Sequence, residues 1–106
     1  MRDQNCVFCK IVSGEIPTGT IVYENEYVTA FPDLHPVAPG HTLLIPKEHH
    51  QWFYEVPGDI ANEWFASAQK IALQLKEEYG ADYVELKIIG VDVHHTHIHL
   101  IPRKIT

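Results

Sequence analysis

Hydrophobic and polar positions change period several times along this chain, and each change marks an element. From Asp59 to Tyr79 the apolar residues fall at Ile60, Trp64, Phe65, Ala68, Ile71, Ala72 and Leu75. That spacing keeps them on one side of an α-helix. Asp59 is placed to cap its start and Gly80 to close its end. A second, short helix is expected from about Phe8 to Ser13, stopped by Gly14 and Pro17. Elsewhere the pattern belongs to strands. "TIVYENEYVTAF" mixes β-branched and aromatic residues around Glu24-Asn25-Glu26 and predicts a hairpin. "TLLIP" is short and dominated by apolar residues, as a buried strand would be, while "ADYVELKIIG" and "VDVHHTHIHLIP" predict two more strands joined near Gly90-Val91-Asp92. Three prolines and a glycine make "PDLHPVAPGH" a loop. The sum is an α+β chain: a mostly antiparallel five-stranded sheet with one long helix and a short N-terminal helix.

Size and charge narrow the function. The 106 residues make one domain, residues 1–106, without repeats or linkers. No apolar run approaches the roughly 20 residues that cross a bilayer. The opening "MRDQNCVFCK" lacks the apolar stretch of a secretory signal, so the cytoplasm is the expected compartment. A net charge of −6 argues against long nucleic acid, whose phosphates demand a broad basic surface. A small anion held by a few backbone N–H groups and histidines remains compatible with that charge.

The chemistry-bearing residues cluster at the two ends. Cys6 and Cys9 form a C-x-x-C pair, which in a reducing compartment is half of a zinc site, a redox dithiol, or two inert thiols. Near the other end, four of the eight histidines fall within residues 94–99. On a strand His95, His97 and His99 share one face, the first and third about 13 Å apart at the backbone, while His94 points to the other face. One metal ion therefore cannot easily take all three, though two neighbours can share one. A lone histidine is most simply structural. Three in alternation on a core-facing strand would each need hydrogen-bond partners, which points to function.

"HTHIHLIP" resembles the His-x-His-x-His-x-x signature of the histidine-triad (HIT) family of nucleotide hydrolases and transferases. "CVFCKIVSGEIP", "VYENEYVTAFPDLHPVAPGHTLLIPKEH" and "HHTHIHLIPR" are similar to the family's blocks in the same order, across most of residues 6–103. The resemblance implies that His97 is the nucleophile attacking the α-phosphorus of a purine nucleoside monophosphate conjugate, an AMP or GMP phosphoramidate or a dinucleoside polyphosphate. His99 and His41 would face the phosphate and leaving group. Asp33 would accept hydrogen bonds from the ribose hydroxyls, with Val7, Phe8, Ile11, Phe31 and Leu34 around the base; Asp33 also suits a turn. The family's zinc-bearing members imply a structural zinc on Cys6, Cys9, His49 and His95, with His50 a one-residue alternative to His49. The family further implies a homodimer, for which the aromatics of "QWFYEV" and "EWF" offer surface to bury.

One segment departs from the pattern. Relatives commonly carry Asn, Gln or Ser before the signature, where a polar side chain meets the phosphate or leaving group, but "KIIGVDVHH" has none of these. Three activities are therefore weighed: hydrolysis, nucleotidyl transfer to phosphate or a sugar phosphate, and nucleotide binding by a zinc-stabilised module without turnover. His35 and His94 are read as surface histidines.

Overall fold

The run Thr42–Pro46 is buried at every position and forms the middle strand of the sheet. The computed structural model describes residues 5–17 and 20–105. Residues 1–4, on which part of the expectation about a secretory signal rests, and residue 106, the end of the expected domain, lie outside the described residues. The elements are α1 (Val7–Ser13), β1 (Tyr23–Glu24), β2 (Val28–Pro32), β3 (Thr42–Pro46), a single 3₁₀ turn at Phe53–Glu55, α2 (Gly58–Glu78), β4 (Tyr83–Ile89) and β5 (His97–Arg103). The sheet order is β1-β2-β3-β5-β4, antiparallel throughout. The expected α+β architecture is the observed one.

Alternation along the central strands divides the molecule into two layers. Val28, Ala30, Leu44, Ile98 and Leu100 meet Trp64, Ala68, Ile71 and Leu75 of α2. Fully burying side chains such as Ile71, Ile98 and Leu100 is worth about 1.5–3 kcal/mol each, enough to fix the helix on the sheet. Trp64 also donates its indole N–H to the Leu44 carbonyl at 3.0 Å, so its polar atom is satisfied at full burial. The opposite face carries Phe31, Leu43 and Ile45, covered by Cys6, Phe8 and Cys9 of the N-terminal segment. His97 and His99 belong to this second face, because Leu43 pairs with His99 across the β3–β5 ladder while Leu44 pairs with Ile98. The candidate chemistry thus lies on the face that α1 covers.

Three local expectations are corrected. Helix α2 starts at Gly58 after Pro57, not with Asp59 as cap: the Ala61 N–H already bonds the Pro57 carbonyl at 2.8 Å, and Asp59 lies in the first turn. There its carboxylate still favours the positive end of the helix. At the other end Gly80 and Ala81 donate to Glu77 and Lys76, so the chain closes where Gly80 was expected to stop it. Trp64 is buried, so of "EWF" only Phe65 is exposed; of "QWFYEV", Phe53 and Tyr54 are exposed as expected while Trp52 is half-buried.

The third correction bears on function: β5 begins at His97, not near Val91. Residues 91–95 bend out of the sheet, and His95 with Thr96 leads into the strand. The bend is fixed from outside. Thr96 donates its N–H to the His50 carbonyl at 2.7 Å, and the Gln51 side chain donates to the Gly90 carbonyl at 3.2 Å. A Cβ at Gly90 would fall 2.0 Å from the Gln51 oxygen, so only glycine allows this approach. Gly40, at the end of the proline loop, has φ 86° and lies against the Tyr79 ring, and glycine alone satisfies both demands.

Candidate active site and metal centre

Cys6 caps α1: its Sγ accepts the Cys9 N–H at 3.4 Å, and the three-residue spacing brings both thiols to one side of the first turn. The bend before β5 delivers His95 to them, its Nδ1 3.4 Å from Cys6 Sγ and 3.6 Å from Cys9 Sγ. From the segment after β3, His49 Nδ1 comes within 3.3 Å of Cys9 Sγ. The four donor atoms all lie within 4.8 Å of one another. His50 turns away and pairs with Glu48 at 2.7 Å. His95 donates Nε2–H to the Pro46 carbonyl at 2.7 Å, which leaves a lone pair on Nδ1 directed at the thiols. Two thiols, two imidazoles and a carbonyl orienting one ring are the donor set and outer support of a closed tetrahedral Zn²⁺ site. The residues present fit that ion.

Burial pushes the His95 imidazole down to about 4, against the upward pull of its bond to Pro46. The folded chain therefore refuses a proton that the unfolded chain accepts below about pH 6.5. Its contribution to stability is intact above that pH and falls as acid is added, down to about pH 4, by roughly 3 kcal/mol in all. Urea unfolding of chelator-treated protein between pH 7 and 4.5 is expected to show that decline. A flat profile would contradict a buried neutral His95.

The second cluster lies beside the first. His97, only 1% exposed, donates Nδ1–H to the His95 carbonyl at 2.8 Å, so its other nitrogen, Nε2, holds the lone pair. Phe8 packs edge-on against its ring at 5.0 Å, and His99 follows on the strand at 5.0 Å. His41, from the start of β3, bonds His99: Nε2 of His41 is 2.9 Å from Nδ1 of His99. The proton can be assigned. Because the Val37 N–H donates to His41 Nδ1 at 3.2 Å, His41 carries its hydrogen on Nε2, facing His99 Nδ1 and the Asp33 carboxylate at 3.3 Å. His99 must then hold its own proton on Nε2, a buried atom without a hydrogen-bond partner among the described residues. Burial lowers the pKa of both His41 and His99, with Asp33 opposing it in each, so both are neutral at pH 7. Asp33, His41 and His99 are close enough to suggest a second metal site. The tautomer argues otherwise, since His41 Nε2 has no lone pair to offer. What the trio presents is one buried N–H donor, aimed by a relay.

Asp33 serves two partners: Oδ1 accepts the His35 N–H at 2.9 Å and shapes the loop, while Oδ2 faces His41. Phe8 and Phe31 pack against each other at 5.7 Å and are buried. Val7 and Leu34 are exposed, and Ile11 is half-buried over the same core. His35 and His94 are exposed. An open cleft of about 320 Å³ runs past Cys6, Val7, His49, Asp92 and Val93. A larger cavity of about 680 Å³ lies between the proline loop and the end of α2, and touches Asp33 and His41 from the other side. One residue of the site was not foreseen: Asp92, whose Oδ1 stands 3.6 Å from His97 Nε2. An acidic side chain where Asn, Gln or Ser was missing is the sequence signal that points to it.

Two layers on one antiparallel sheet, with paired histidines on the face under a short helix, define the class, and comparison with known proteins agrees. Residues 13–106 match the HIT domain, and the chain belongs to that family. It is similar to the crystal structure of a HIT family member from Bacillus subtilis, with 39% identity, a TM-score of 0.90 and coverage of 97% of this chain and 76% of that one. The adenosine 5′-monophosphoramidase of Saccharomyces cerevisiae is 36% identical over 103 residues, covering 96% of this chain and 65% of the yeast protein. A Zn-bound histidine triad family protein from Mycobacterium smegmatis is 34% identical, with a TM-score of 0.85 and coverage of 95% and 76%. Among the described residues no helix is long and apolar enough to cross a membrane.

Proposed function

We propose that this protein is a nucleotide hydrolase that cleaves conjugates of a purine nucleoside monophosphate, a phosphoramidate or a dinucleoside polyphosphate, through a covalent nucleotidyl-His97 intermediate. The observation that carries this reading is the fixed tautomer of His97: with Nδ1–H committed to the His95 carbonyl, Nε2 is the nucleophilic atom. In the first step Nε2 bonds to the α-phosphorus while the bond from phosphorus to the leaving nitrogen breaks. That nitrogen takes a proton from solvent and departs as an amine. Water then attacks phosphorus, the bond to Nε2 breaks, and the water's proton returns to solvent. The sum is one water consumed, one nucleoside monophosphate and one amine. For a polyphosphate conjugate the breaking bond is P–O.

The partnerless Nε2–H of His99 supports a role as donor to a phosphoryl oxygen or the leaving atom. His41 and Asp33 would hold it in that tautomer. A carboxylate accepts several bonds, so Asp33 can also receive the ribose hydroxyls. Val7, Ile11 and Leu34 would offer the base its apolar contact, with Phe8 and Phe31 as the floor beneath. Cys6, Cys9, His49 and His95 would hold a structural zinc, which would tie α1 to the strand bearing His97 and supply no reacting group. A substrate panel with acid quenching and mass spectrometry tests the mechanism: an adduct of nucleotide mass on His97 is expected, and turnover without any histidine adduct would refute it.

A homodimer completes the reading. Among the described residues no strand pairs with the outer edge of β4, and Leu86 with Phe65 of α2 exposes apolar surface beside it. A second copy would cover that face. A mass of two chains at micromolar concentration is expected in solution, and a single-chain mass would count against it.

A further inference from the structure

Asp92 stands on the bend between β4 and β5 with its side chain 70% exposed, yet its Oδ1 lies 3.6 Å from Nε2 of a histidine that is itself buried. The bend cannot drift far, because Gly90 is pressed against Gln51 and the Thr96 N–H is bonded to His50. The carboxylate can rotate in solvent while its backbone stays in place. Nucleophile and electrophile approach to about 3–3.5 Å before they react. A phosphorus reaching Nε2 therefore arrives where this carboxylate now stands, and the groups bonded to that phosphorus must lie against it. His99 feels the same negative charge.

We infer that Asp92 is a specificity-determining residue of this site: it selects nucleotide conjugates whose leaving group is a positively charged amine and disfavours those whose leaving group is a polyphosphate. The inference rests on the reading of His97 as nucleophile. A phosphoryl group is already anionic. A further anionic leaving group held beside a carboxylate is repelled, whereas an ammonium on the departing amine is attracted and is drawn to the side from which it must leave. A neutral Asn, Gln or Ser in this place would bond either kind of leaving group and favour neither. Because Asp92 is exposed, its effect is screened by salt.

The test uses two adenosine 5′-phosphoramidates with the same P–N linkage and leaving amines of equal length, one ending in an ammonium and the other in a carboxylate. At low salt the parent is expected to prefer the ammonium conjugate by about 10-fold or more in kcat/KM, and the preference should shrink as salt is raised. Asp92→Asn should bring the ratio towards one, and Asp92→Lys should invert it. If parent and Asp92→Asn both cleave the pair with ratios within about twofold of each other, the role of Asp92 is overturned while that of His97 stands. If the parent cleaves neither conjugate, or His97→Ala cleaves them equally well, both readings fall.

Discussion

Replacing His97 with alanine is expected to slow hydrolysis of an adenosine phosphoramidate by at least about 10³-fold, because no other side chain can take over the bond to phosphorus. The ring is held on two sides, by the His95 carbonyl and by Phe8, so on this mechanism it would meet the substrate already oriented. On the proposed mechanism its loss would remove the covalent route and leave only what His99 and His41 would contribute to water attack. The fold should survive, since His97 lies on the α1 face while α2 is anchored on the opposite side by Trp64, Ile71 and Leu75. The measurement is kcat/KM together with circular dichroism of the variant. A folded variant with the parent's rate would end the mechanism.

Chelation is expected to produce the largest change in stability. If zinc binds the cluster, stripping it leaves two buried thiols facing the ring nitrogens of His49 and His95 across 3.3–3.6 Å, and the N-terminal segment is then held mainly by the packing of Phe8 on Phe31, Leu43 and Ile45. A loss of even 2 kcal/mol corresponds to about 10 °C in melting temperature for a domain of this size. The effect should be local before it is global. Amides of α1 are expected to lose hydrogen-exchange protection on chelation while those of α2, seated on the other core, keep theirs. Elemental analysis showing no metal in protein purified without chelator, or an unchanged melting temperature, would remove the ion from the account.

How much of this was legible in the sequence depends on how local its cause is. Helix α2 repeats its apolar spacing through several turns, so its existence and inward face could be read directly. The buried strand "TLLIP" was equally clear, and the C-x-x-C spacing announced a pair of thiols on one side of a turn. The start of β5 is not legible in the pattern, for a physical reason. The alternation at Val93, His95, His97 and His99 continues through a stretch whose backbone is not in the ladder. What ends the strand is a hydrogen bond from Thr96 to His50 and a close approach of Gly90 to Gln51, and neither contact leaves a trace in local pattern. The relay from Val37 through His41 to His99 is similarly non-local, joining rings 58 positions apart, and only coordinates reveal which nitrogen carries the proton. Which histidine meets Cys9 was ambiguous for a simpler reason: His49 and His50 are adjacent, and only the pairing of His50 with Glu48 separates them. Asp92 could be seen in the sequence as an odd residue, but its distance to His97 could not.

His95 touches both halves of the site at once. Its ring points into the thiols, and its backbone oxygen steadies the ring two residues later. Whatever grips that side chain therefore also damps the wobble of its carbonyl, and with it the aim of the neighbouring imidazole. Durability and reactivity are wired through one amino acid, so an engineer who wants to adjust either should expect to move the other.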